Sequence, residues 1–189
     1  MKKAFILSAL CALVLCSCSK DDEDLNTSFD RAEIHFKLAG TGYEGAPSSC
    51  ILENFDFNVF GEDFSGNTVS LELKADTLER VIVCKDAPTA ENSLFARLGF
   101  KASKKELTSI GTNTFNYTFK AFYVIYDKQG KEICKGTVYN DSGSGSGLTI
   151  DEIGNILDMD FYGEFELCYT QMWGSNEWNY NFGYKQLPN

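Results

Sequence analysis

"TFNYTFKAFYVIY", Thr114 to Tyr126, decides the fold. Phe115, Tyr117, Phe119, Ala121, Tyr123 and Ile125 alternate with Asn116, Thr118 and Lys120, the period of two that a β-strand imposes by sending successive side chains to opposite faces. From Phe122 and Val124 onward the second face turns apolar too, which marks a strand that is central or covered.

The same period extends in both directions. Ala32, Ile34, Phe36 and Leu38 oppose Glu33, His35 and Lys37. Phe55, Phe57 and Val59, then Val69, Leu71 and Leu73, read as a hairpin joined through Gly61 to Asn67, and further strands are expected at Arg80 to Lys85 and Leu94 to Lys101. Downstream, Asp127-Lys128-Gln129-Gly130 turns the chain into Glu132 to Tyr139. Asn140 to Gly147 is expected to be a mobile loop, because its glycines and serines bring nothing to a core. Thr149 with Glu152 has the form of a capping box. A hairpin through Gly154-Asn155 is the preferred reading, since Leu157, Met159, Phe161, Phe165 and Leu167 then alternate with Asp158, Asp160, Glu164 and Glu166. A last turn, Gly174 to Glu177, separates Tyr169 to Trp173 from Trp178 to Tyr184. The expectation is an all-β chain, an antiparallel β-sandwich of eight or nine strands, with an eight-stranded calycin-like barrel as the alternative.

The amino terminus carries an address. Lys2 and Lys3 precede Ala4 to Leu15, a run apolar but for Ser8, which is a secretory signal pattern. As a helix it would reach about 18 Å, short of the roughly 30 Å hydrocarbon core. Leu15-Cys16-Ser17-Cys18 resembles a bacterial lipobox, and only Cys18 has the small residue before it and the aliphatic residue three before it. Ser19-Lys20-Asp21-Asp22-Glu23-Asp24 resembles the acidic surface-export tag of Bacteroidota-type lipoproteins. The resemblance implies that 1–17 is a signal peptide, 18–30 a disordered tether lipidated at Cys18, and 31–189 a single β domain held at the outer membrane and exposed on the cell surface. In layout the body is similar to small surface lipoproteins of that bacterial group, a likeness that transfers no catalytic residue.

Charge narrows the partners. A formal charge of −10 with no basic stripe among the aromatics excludes nucleic acid and leaves a glycan or surface protein. Cys50, Cys84, Cys134 and Cys168 are candidate disulfide cysteines with three open connectivities, or small buried hydrophobes. Their spacing fits no zinc site.

Candidate chemistry is sparse. His35 is the single histidine, on the polar side of its strand, and no serine has the flanks of a nucleophile elbow. Asp158 with Asp160 and Glu164 with Glu166 stand about 7 Å apart along a strand. That falls within the roughly 5 to 9.5 Å that two-carboxylate glycosidases use, and makes such an enzyme the remote alternative to no enzyme at all. Asp151, Glu152, Asp158 and Asp160 lack the calcium-loop pattern, and no cofactor or metal is expected. The candidate ligand-binding residues are Trp173, Trp178, Tyr180, Asn176 and Glu177, where flat rings beside amide and carboxylate groups suit a sugar. The plainer reading of the same tryptophans is a pair that locks the hairpin or closes the core. The chain therefore reads as a non-catalytic binding module. A barrel for a small apolar ligand and a structural or adhesive subunit are the alternatives.

Overall fold

The structure is a computed structural model that describes residues 28–41, 45–106, 111–158, 161–172 and 175–186. The signal pattern, Cys18 and the acidic stretch lie outside the described residues. In chain order the elements are β1 (Phe29–Ala39), α1 (Ser49–Asn54), β2 (Phe55–Glu62), β3 (Thr68–Leu73), β4 (Glu79–Cys84) and β5 (Leu94–Lys104). Then come β6 (Asn113–Asp127), β7 (Glu132–Leu148), α2 (Ile150–Ile156), β8 (Phe161–Met172) and β9 (Ser175–Tyr184).

These strands make two antiparallel sheets, ordered β4-β1-β6-β7 and β3-β2-β5-β8-β9, packed as an unclosed sandwich. The expected alternation sets the core. Phe36 and Phe119 from one sheet meet Phe57, Phe100, Phe161 and Phe165 from the other, all buried, with the Phe100 and Phe119 ring centroids 3.5 Å apart across the layers. A void lined by Ile34, Tyr123, Phe165 and Leu167 among others measures about 10 Å³, at the lower limit for one water. That void gives an apolar ligand no room, and the open sheets replace the barrel alternative.

Three expectations are corrected. The Gly/Ser run is no loop: it continues β7, registered against β6 with Tyr123 opposite Gly136, Tyr117 opposite Gly143 and Phe115 opposite Gly145. The β6 rings lie over these glycines, and a Cβ on Gly143 would come 2.6 Å from Tyr117 Cε1. The large residue of each cross-strand pair thus supplies the bulk that the small one lacks. The Tyr117 hydroxyl donates to Asp141 at 2.9 Å, fixing that ring.

Second, α2 replaces the hairpin at Gly154-Asn155. Thr149 Oγ1 accepts from Glu152 N–H at 3.3 Å, and Glu152 Oε2 accepts from Thr149 N–H at 2.8 Å. Ile150, Ile153 and Leu157 are buried, the i, i+3, i+7 spacing of one helical face. Third, β8 and β9 pair out to Met172 opposite Ser175, so the last turn is shorter than the four residues expected. The six-residue α1 is seated by Cys50 and Ile51, both buried, and by Asn54 Nδ2 donating to the Cys50 carbonyl at 2.9 Å.

The two ends of the sandwich differ. At one end β1 begins, and the β2–β3 and β6–β7 connections turn there. Both turns are built alike: Asp63 Oδ1 accepts from Ser65 and Asn67 N–H, Asp127 Oδ1 accepts from Gln129 and Lys131 N–H, and Gly66 and Gly130 both take φ of 76°. At the other end both helices sit beside the start of β6, with Ser48 hydrogen-bonded to Asn116 and Cys50 Sγ to the Thr114 carbonyl at 3.1 Å.

Candidate functional site

On the outer face of the five-stranded sheet, two aromatic rings close over a third strand. Phe55, Phe57 and Val59 of β2 point inward, which turns Asp56, Asn58 and Phe60 outward. Gly99 of β5 pairs with Phe60 on one side and with Tyr162 of β8 on the other. The Phe60 and Tyr162 rings have centroids 5.9 Å apart and planes 6° apart. A Cβ at Gly99 would stand 2.6 Å from Phe60 Cζ, 2.8 Å from Tyr162 Cδ2 and 2.7 Å from the Phe161 carbonyl oxygen. Only glycine lets both rings settle there.

Charged groups border these rings. Glu164 Oε2 accepts from Arg97 Nε at 2.9 Å, and its Oε1 lies 3.2 Å from Lys185 Nζ. The Arg97 hydrogen bond, then that of Lys185, hold the Glu164 carboxyl below its ordinary range. Lys185 N–H donates to the Tyr162 carbonyl at 3.1 Å, which pins the strand end carrying the ring. On the opposite side of the pair Asn58 registers with Lys101, while Phe95, 46 % exposed, stands on the same face beyond Arg97, opposite Glu166. Parallel rings with hydrogen-bonding edges can take a flat apolar surface and orient its polar substituents.

The residues nominated from the sequence are placed differently. Trp178 pairs with Tyr169 and is only 5 % exposed, its ring 5.4 Å from that of Tyr169 and 5.9 Å from Phe29. Its ring closes the core beside Cys84, Ile125 and Leu167 and offers no surface for stacking. Tyr180 is half-buried against Tyr123. Trp173 lies outside the described residues, and Asn176 and Glu177 are described only as backbone of β9.

Cys50, Cys84, Cys134 and Cys168 are all free thiols. Burial pushes the Cys84 thiol up to about 11. His35 Nδ1 lies 2.8 Å from Glu79 Oε1 and Nε2 3.0 Å from Glu33 Oε2, with the ring stacked on Phe122, a cross-strand tie between β1 and β4. Of the paired acids, Glu166 is also held below its ordinary range, by Ser93 and then Asn181. A general acid near neutral pH needs the opposite shift. Asp151 is paired with Lys104, Glu152 is used in the cap, and Asp160 lies outside the described residues. Among the described residues no three His, Cys, Asp or Glu side chains are grouped to hold a metal, and no helix is long and apolar enough to cross a membrane.

Set against family models, curated proteins and solved structures, the chain matches none. The geometry of the site carries the functional argument.

Two signals for this face stand in the sequence. Phe60 is a large aromatic in the polar phase of β2, and Gly99 is an isolated glycine inside a strand, which marks a close approach.

Proposed function

We propose that this chain is a lipid-anchored, extracytoplasmic, non-catalytic binding module that takes the apolar face of sugar rings on Phe60 and Tyr162. The observation that carries the reading is the near-parallel ring pair over Gly99, bordered by Arg97, Glu164, Lys185, Asn58 and Lys101. The lipobox-like Leu15 to Cys18 and the acidic stretch behind it support the anchor and the surface location. A glycan fits such a face because its ring carbons shed water against the aromatic surface while its hydroxyls reach the bordering amide and charged groups.

The test is a glycan array probed with the domain from Leu25 onward, beside Phe60→Ala, Tyr162→Ala and Trp178→Ala. Binding by the unaltered domain, lost in the first two variants, is the expected result. Equal binding by all forms, or none by the unaltered domain, refutes the assignment.

A further inference from the structure

The geometry points to a fixed polarity of the domain on its membrane: we infer that the end carrying the β2–β3 and β6–β7 turns faces the lipid that holds the Cys18 acyl chains, while the end carrying α1 and α2 faces away. This rests on the anchored reading proposed above and adds to it a lipid-facing and an outward-facing surface.

The reasoning is one of reach. Ser28, the first described residue, is held in the fold: its carbonyl accepts from Lys128 N–H at 2.9 Å in the β6–β7 turn. Phe29 then pairs with Asp127, so the point of attachment is at the turn end of β6. From Cys18 to Ser28 the chain spans at most about 35 Å, whatever its conformation, at 3.3 to 3.6 Å per residue. The 15 residues of β6 at about 3.3 Å each make the body roughly 50 Å long. An upright domain with Asn113 toward the lipid would hold Ser28 at that height, beyond the reach of its own tether. Every permitted pose keeps Ser28, Gln129 and their neighbours within tether length of the bilayer.

What points outward follows from the other end of β6. Asn113 pairs with Leu148, and α2 begins two residues later. Beside α2 is an open recess of about 480 Å³ lined by Phe55, Ala102, Lys104, Asp151, Asn155 and Asp158. The Phe60–Tyr162 face stands between the two ends and is reached from the side.

The experiment uses the full acylated chain inserted into phosphatidylethanolamine/phosphatidylglycerol vesicles that carry an acceptor dye on a lipid headgroup. A donor dye is attached through Gln129→Cys or Asn155→Cys, both exposed positions, in a Cys134→Ser background that removes the one thiol among the described residues that is not buried. Energy transfer severalfold stronger from position 129 than from 155 is expected. Equal transfer, or stronger transfer from 155, overturns the polarity. Mass spectrometry of the same preparation separates the two claims, because an unmodified Cys18 overturns the anchor itself and the polarity with it.

Discussion

One device, a glycine beneath aromatic rings, occurs on opposite sides of this sandwich with opposite results. Inside, Tyr117 and Phe115 lie over Gly143 and Gly145 and are almost completely buried. Outside, Phe60 and Tyr162 lie over Gly99 and are only partly buried, with no layer above them among the described residues. The inner rings complete a core that β7 cannot fill from its own side chains. The outer rings make the same local contact but leave apolar area facing water, which is what a binding face requires. The local arrangement is common to both; the layer packed above it decides whether the rings are sealed into the core or left facing water.

The comparison can be broken by mutation. Tyr117→Ala empties a buried site and should cost about 3 to 5 kcal/mol of stability in urea unfolding, whereas Tyr162→Ala should cost under about 1 kcal/mol, since surface positions contribute little. Similar losses at both positions would mean that the outer rings are structural as well. Gly143→Ala and Gly99→Ala should each cost about 1 to 3 kcal/mol by overpacking. Only Gly99→Ala should also displace the outer rings and abolish glycan binding on the array. Thr149→Ala removes the cap that turns the chain from β7 into α2, and an unfolding loss of about 1 kcal/mol is expected, with binding retained.

The smallest effect is absent at neutral pH. Burial, followed by the hydrogen bond to Asp141, holds the Tyr117 phenol above its ordinary 10.0, and burial holds Cys84 near 11 against an ordinary 9.0. The folded state keeps these protons after the unfolded chain has released them, so stability is full below pH 9 and falls as pH rises beyond it. Urea midpoints measured across that range should drop, and Tyr117→Phe should flatten the fall. A Tyr117→Phe profile identical to that of the unaltered domain would show the phenol to be solvated.

The strands were legible where one face was apolar and the other polar, as in Ala32 to Leu38 and Phe115 to Ile125, because burial alone fixes that phase. Asn140 to Gly147 misled for a physical reason: its inward positions are filled from the neighbouring strand, and composition does not register a partner's ring. The hairpin reading at Gly154-Asn155 passed over Ile150 and Ile153 and counted Leu157 into a strand alternation, whereas Leu157 closes the buried face of α2. The sequence reading set Trp178 against Trp173 across the turn; the register places Tyr169 opposite it instead, and its burial depends on Phe29, far away in sequence. Phe60, Gly99 and Tyr162 come from three separate strands, and only the sheet order brings them together.

That order also governs how the molecule can be made. β1, the first strand of the domain, lies between β4 and β6, so it waits for Asp127 before both its edges are paired, and β2 waits likewise for β5. Contacts so distant along the chain make folding slow, on the millisecond-to-second scale of all-β sandwiches. A polypeptide whose first strand keeps one edge unpaired until two thirds of the chain has emerged carries an open template for that long, against which another strand can add.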